Sequence, residues 1–293
     1  MKILITGANG YIGSNLVRKI SENNNHEIYC IIRSAESIDN NLKVNWIIHD
    51  LFEPIPIEIL PDYVDIIIHL AQSKHYKDFP DKALDIFNIN CSATLTLLNY
   101  AKIKGVKKFI YSSSGGIYQP KEEAYKESDF LNPLNFYFTS KYIAERLVLS
   151  YSTHFKSIIL RYFFVYGPNQ QEMFIQRIIN SIKEDKTIYI EGDEGLVFTP
   201  TYIDDAVNSL ISAISLETSA IVNIGGFESI SLKQLCNYIG DLLNRKPVFE
   251  YKAFKSSPNY IADTTNMKQL LGIKNTIPIK EGILKTIKSS IDH

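Results

Sequence analysis

The run Ile3-Leu4-Ile5-Thr6-Gly7-Ala8-Asn9-Gly10-Tyr11-Ile12-Gly13 passes from a short β-branched strand through three spaced glycines into a helical pattern. Glycines at such a junction let the backbone approach a pyrophosphate and let the helix pack on the strand. The free N–H groups of the helix N-terminus favour the negative charge. The spacing, with Gly7, Gly10 and Gly13 three apart, is G-x-x-G-x-x-G and not the commoner G-x-G-x-x-G. Outward from this turn, β-branched runs at 3–6, 27–33, 44–49, 64–70, 107–113 and 157–162 predict strands, several of them apolar on both faces. Helical patterns at 11–22, 81–104 and 137–154 supply covers. Strands buried on both sides belong to a parallel sheet between helices, so the fold class is α/β, a doubly wound parallel sheet of Rossmann type. After Tyr166-Gly167-Pro168 the rhythm changes to helix (173–184), short strand (187–190) and further helices (204–214, 231–243, 279–290). The predicted organisation is a dinucleotide-binding domain over 1–166, its sheet completed by about 201–224, and a smaller, mainly substrate-binding region over 167–293.

Thirty-one Lys plus Arg against 32 Asp plus Glu leave a net charge of -1, too little to gather nucleic acid or an acidic membrane. A 45% hydrophobic, 22% charged chain can bury a core, which excludes disorder as the main theme. Cys30, Cys91 and Cys236 are odd in number, far apart and without metal-ligand spacing, so neither a disulfide framework nor a metal site is expected. No apolar run approaches a bilayer span, and the N-terminus reads as a strand running into glycine, not as a signal peptide. The expectation is a cytoplasmic protein.

Tyr137-Phe138-Thr139-Ser140-Lys141 places a phenol and an ammonium at i and i+4 on one helical face. A phenol of ordinary pKa exchanges protons poorly at neutral pH, and a nearby cation favours the phenolate. Just upstream, Ser112-Ser113-Ser114 ends a predicted strand, where a hydroxyl reaches the crevice at the carboxyl end of the sheet. With these residues the chain resembles the extended short-chain dehydrogenases/reductases of the sugar-nucleotide epimerase/dehydratase type. Other matching segments are Asp50-Leu51, His69-Leu70-Ala71-Gln72, Asn90, Tyr111 through Tyr118, Leu160-Arg161-Tyr162, Tyr166-Gly167-Pro168, Tyr202-Ile203-Asp204-Asp205, Ala262-Asp263-Thr264 and Leu271-Gly272, so the resemblance covers nearly the whole chain.

The resemblance implies roles for individual residues. Tyr137 is the acid/base, Lys141 tunes it and binds the nicotinamide ribose, and Ser114, four residues before Tyr118, hydrogen-bonds the reacting oxygen. The implied cofactor contacts are Gly7, Asn9, Gly10, Tyr11, Ile12, Gly13, Arg33, Asp50, Leu51, Leu70, Ala71, Gln72 and Asn90, with Tyr137 and Lys141. NAD-preferring members carry an acidic residue where Arg33 stands. A guanidinium there suits a 2'-phosphate, so NADP(H) is favoured over NAD(H).

The departures concern the substrate. Gly115 and Gly116 replace the acidic pair of the 4,6-dehydratases, and Phe164 an Asn and Phe198 an Arg near the nucleotide diphosphate, so either the nucleotide sugar is held differently, by Lys255 or Arg177, or the substrate is not a diphosphate sugar. Ser114, Gly115, Gly116, Phe164, Phe198 and Lys255 are therefore the expected substrate contacts. Three readings follow: a keto-sugar reductase, slightly favoured through Arg33; a nucleotide-sugar 4-epimerase using the same residues; and a non-catalytic dinucleotide sensor. A sugar or nucleotide-sugar substrate is implied, as is a homodimer formed as a four-helix bundle by helices at 81–104 and 137–154, with Ile86, Leu97, Ile143 and Leu147 on their outer faces.

Overall fold

A computed structural model describes residues 1–22, 25–252 and 259–289. Strands β1 (Lys2–Thr6), β2 (Glu27–Ile32), β3 (Asn45–Ile48), β4 (Ile66–His69), β5 (Lys108–Ser114) and β6 (Lys156–Tyr162) join the strand Ala220–Ile224 in one seven-stranded sheet. From edge to edge the order is Ala220–Ile224, β6, β5, β4, β1, β2, β3. The pairs of β1 with β2 and β4, of β2 with β3 and of β4 with β5 are parallel. Every residue of β4 is buried, as are the first six of β5 and the last six of β6, the signature of strands covered on both faces. The order reverses at β1, where the chain steps to β2 on one side and to β4 on the other. That switch point is where a doubly wound sheet opens its crevice.

Helix α1 (Tyr11–Ser21) follows the glycine turn. The expected helix over 81–104 is resolved into α2 (Ala83–Phe87), a five-residue π-helical stretch Asn88–Ser92, and α3 (Ala93–Lys104), which stops at Gly105 in the left-handed conformation. Helix α4 (Phe136–Ser150) begins where the Asn135 side chain accepts the Phe138 N–H at 2.9 Å, a cap that fixes the position of Tyr137 and Lys141. Further along come α5 (Phe174–Lys183), α6 (Ile203–Ser215), α7 (Leu232–Leu243), α8 (Thr265–Leu271) and α9 (Ile279–Ser289). The strand Val248–Lys252, which pairs in parallel with Thr187–Glu191, and helix α8 were not anticipated from the sequence.

The chain forms two compact units whose boundary is not a single cut near 166. The first comprises Met1–Ile117, Leu131–Arg161 and Leu210–Val222; the second comprises Tyr118–Phe130, Tyr162–Ser209 and Asn223–His293. Each is a fold of its own chain segments, which periodicity along the sequence does not reveal. Ile86 and Leu97, expected on the outer faces of their helices, are wholly buried in the first unit. Leu147 packs against its core, and the large exposed apolar residues of α2 and α3 are Leu84, Phe87, Leu95 and Ile103. The π-helical stretch adds a residue to one turn and so rotates the apolar stripe that a continuous helix would carry. Among the described residues no helix is long and apolar enough to cross a membrane, and no cluster of His, Cys, Asp or Glu could hold a metal ion.

Candidate active site

The glycine turn is shaped for close approach. Gly7 has φ +67°, and a Cβ on it would stand 2.7 Å from the Ala71 nitrogen; on Gly13 it would stand 2.1 Å from the Gly7 carbonyl oxygen. Only glycine permits both the left-handed turn and the packing of α1 on it. Asn9 and Gly10 remain exposed and Tyr11 and Ile12 half-buried, so the start of α1 is accessible to a pyrophosphate, while the Gly10 N–H donates back to the Gly7 carbonyl at 2.9 Å. Beside it, Thr6 Oγ1 and Thr94 Oγ1 hold His69 at 2.6 and 2.9 Å, and burial drives this imidazole down to about 3, keeping it neutral as a tie between β4 and α3.

Tyr137, Lys141 and Glu145 lie four residues apart along one face of α4. The half-buried Tyr137 donates its hydroxyl to Gln72 Oε1 at 2.6 Å, and its ring lies between Tyr76 and Phe138, 5.6 and 5.3 Å away. Burial pushes the phenol above its ordinary range, with Tyr76 acting in the same direction and the Gln72 hydrogen bond opposing them. Lys141 is buried, donates to the Ser112 carbonyl at 2.5 Å, and sets its ammonium 4.7 Å from the centre of the Tyr111 ring. Two residues beyond Ser112, Ser114 ends β5 partly exposed, its Oγ accepting the Gly116 N–H at 3.1 Å. The geometry thus brings all three predicted catalytic residues to the carboxyl end of the central strands, within the first unit.

Desolvation lowers Lys141 to about 7, against the opposing pull of Glu145 and Cys91. A lysine whose pKa is lower in the folded than in the unfolded chain costs stability where it must be charged, below about pH 7. That cost fades as pH rises from there toward the ordinary lysine value, because the unfolded chain binds the extra proton across the interval. Lys141→Met should therefore be more stable than the wild type by about 1–4 kcal/mol at pH 6. The gap should narrow steadily up to pH 10, as read from urea unfolding across that range. A gap that is constant or widens with pH would contradict the assignment of a buried, proton-losing lysine.

Two further side chains seat this face, in roles that the sequence did not assign to them. Arg161, at the end of β6, makes a two-pronged ion pair with Glu145 (Nε to Oε1 3.0 Å, Nη2 to Oε2 2.8 Å), both residues almost without exposure. An arginine inside an otherwise apolar strand was the available clue, together with an acidic residue four positions after Lys141. Asn90 sits in the π-helical stretch, accepts from Ser73 N at 2.9 Å and donates to Ser140 Oγ at 2.8 Å. With only 1% of its surface exposed, it ties the loop after β4 to α4.

Other expected contacts are placed as follows. Leu51, Leu70 and Ala71 are buried, Arg33 is exposed immediately after β2, and Asp50 closes a turn by accepting the Phe52 N–H at 3.0 Å. Gly115 is buried. A Cβ at Gly116 would overlap the Phe138 ring at 2.2 Å, so an acidic side chain there would require Phe138 to move. In the second unit, Phe198 is wholly buried and cannot meet a ligand, which corrects its expected substrate contact. Phe164 is held at φ +40° by the rings of Phe198, Phe174 and Tyr260 at 4.7, 5.3 and 5.9 Å. A left-handed Phe is strained, and packing of this aromatic cluster outweighs the strain. Arg177 is exposed on α5, and Lys255 lies outside the described residues.

Residues 3–225 match the family described as "NAD dependent epimerase/dehydratase family". The chain belongs to this family, whose members are enzymes of the extended short-chain dehydrogenase/reductase type. It is 32% identical over 239 residues to a UDP-glucuronate 4-epimerase of Thermodesulfobacterium geofontis, covering 78% of this chain and 73% of that protein. It is 28% identical to an uncharacterised UDP-glucose epimerase of Bacillus subtilis, over 98% and 97% of the two chains. Among solved structures, the UDP-glucuronic acid 4-epimerase of Bacillus cereus in complex with UDP-glucuronic acid and NAD superposes with a TM-score of 0.87 at 27% identity, covering 100% of this chain and 99% of that one.

Proposed function

We propose that this enzyme is an NAD-dependent 4-epimerase of a UDP-linked hexose or hexuronate. The placement of Tyr137 and Lys141 one turn apart on α4, with Lys141 anchored two residues from Ser114 at the end of β5, carries the hydride-transfer chemistry common to epimerase and reductase, and the similar proteins favour the epimerase. The order of preference read from the sequence is thereby reversed. The keto-sugar reductase drew its advantage from Arg33 and NADP(H), whereas the similar proteins are named as UDP-sugar epimerases and the solved neighbour holds NAD.

The glycine turn fits a dinucleotide, since glycine at 7 and 13 lets the turn close on the Leu70-Ala71 backbone and on the start of α1, and Asn9 and Gly10 at its tip stay exposed. When bound, the dinucleotide supplies a nicotinamide that takes up and returns hydride. The chain's own residues manage the proton and the oxygen. Tyr137 takes the proton of the sugar hydroxyl and later gives it back, Lys141 lends the positive field that makes the phenolate accessible, and Ser114 donates its hydroxyl to the oxygen as it becomes a carbonyl. Gln72 holds the phenol between turnovers. Dehydration needs an acid and a base beside this carbonyl, and Gly115-Gly116 under Phe138 supply neither. Two copies join through the exposed Leu84, Phe87 and Leu95 of α2 and α3, so sedimentation should report a dimer at micromolar concentration, and a strict monomer would refute that contact.

The test is product analysis. With catalytic NAD, UDP-glucuronate or UDP-glucose should be converted to its 4-epimer, resolved by proton NMR, until both directions reach the same ratio. A product formed only with stoichiometric loss of NADH or NADPH would overturn the epimerase in favour of the reductase.

A further inference from the structure

Arg33 predicts a phosphorylated adenosine ribose, yet the depression beside the glycine turn is lined by a carboxylate, that of Asp39, and not by Arg33. This depression is open and measures about 310 Å³. Ala8, Asn9 and Arg18 line it from the turn and α1; Ser37, Asp39 and Trp46 line it from the segment after β2 and from β3. Arg33 does not line it. In a doubly wound sheet the pyrophosphate rests on the first helix N-terminus and the adenosine ribose extends toward the end of the second strand. A depression running from the turn to the segment that follows β2 is therefore where the substituent at the ribose 2' position is read.

We propose that Asp39, and not the residue at the end of β2, sets the choice of dinucleotide, by accepting a ribose hydroxyl and repelling a 2'-phosphate. The proposal rests on the dinucleotide-binding reading above. Asp39 Oδ1 accepts the Asn41 N–H at 3.0 Å, which fixes the carboxylate in its loop and leaves Oδ2 for a ligand hydroxyl. The charges lining the depression are those of Arg18 and Asp39, which cancel, whereas a 2'-phosphate site needs an excess of donors and positive charge. Arg33, exposed and outside the lining, is left as a surface cation.

Trp46 gives a direct reporter, because it lines the depression and is the single tryptophan of the chain. The experiment titrates NAD+, NADP+ and adenosine 2',5'-bisphosphate into wild type, Asp39→Asn and Arg33→Ala. Calorimetry measures affinity and Trp46 fluorescence measures occupancy of this end of the site. Asn keeps the acceptor for the Asn41 N–H, so the loop is retained while the charge is removed. Wild type should bind NAD+ at least tenfold more tightly than NADP+. Asp39→Asn should shrink that ratio at least tenfold and gain a fluorescence response to the bisphosphate, and Arg33→Ala should leave the ratio within about threefold. A wild type that prefers NADP+, or an unchanged ratio in Asp39→Asn, overturns the role of Asp39 while leaving dinucleotide binding intact. A wild type that binds neither dinucleotide overturns both readings.

Discussion

Tyr137→Phe should lower kcat by about 10²–10⁴ while leaving the affinity for NAD unchanged and the fold intact. The substitution removes one hydroxyl, whose resting hydrogen bond goes to Gln72 Oε1, and leaves the ring where Tyr76 and Phe138 flank it. A hydrogen bond of this kind contributes about 0.5–1.5 kcal/mol to stability, which a melting curve registers as a small shift. The chemical step has no substitute for the lost proton carrier. Lys141 is turned to the Ser112 carbonyl, and Ser114 is an alcohol too weak to act as the base. Measuring kcat and the NAD dissociation constant on the same preparation separates the two effects. A variant with wild-type turnover would remove Tyr137 from the chemistry.

The second large effect is on the fold. Arg161→Met should destabilise the protein by about 3–5 kcal/mol, because the Glu145 carboxylate would remain buried without its guanidinium partner. The same substitution should weaken catalysis through position, since Glu145 stands one turn beyond Lys141 on α4 and its charge helps keep that lysine protonated. Replacing both partners, Arg161→Met with Glu145→Leu, removes two buried charges together and should recover most of the lost stability. Denaturant unfolding of the two single variants and the double variant closes this cycle. If the single substitution cost less than about 1 kcal/mol, the pair would be behaving as an exposed ion pair, contrary to its burial.

The parts of the fold legible in the sequence were those governed by local chemistry. The alternation of β-branched runs with helical patterns located β1 to β6 to within about two residues, because strands covered on both faces are apolar throughout. The completion of the sheet from about 201–224 was expected, and Ala220–Ile224 is the strand that does it, whereas the division into two units depends on pairings between distant segments and left no periodic trace. In the candidate site, Gly7, Gly13, Ser114, Tyr137 and Lys141 stood out because each role demands a particular residue type at fixed spacing. Phe198 was misjudged because correspondence with a family pattern gives a position in the chain and says nothing of burial; its ring lies under Phe164 and Phe174. The packing of Asn90 was likewise hidden from the sequence. Its amide faces Ser73 and Ser140, a choice made by the π-helical stretch that a helical pattern read as continuous cannot register. Asp39 escaped notice since it lies in a loop of no regular spacing, six residues past the position where an acidic residue was sought.

The most direct test of the epimerase reading follows an isotope. UDP-sugar carrying deuterium at C4 should yield the 4-epimer with the deuterium retained on the same molecule, since hydride leaves and returns within one occupancy of the site. NADH should not accumulate, and added unlabelled NADH should not dilute the label. Loss of deuterium to the dinucleotide pool, matched by net oxidation or reduction of the nicotinamide, would contradict the epimerase and identify a reductase in its place.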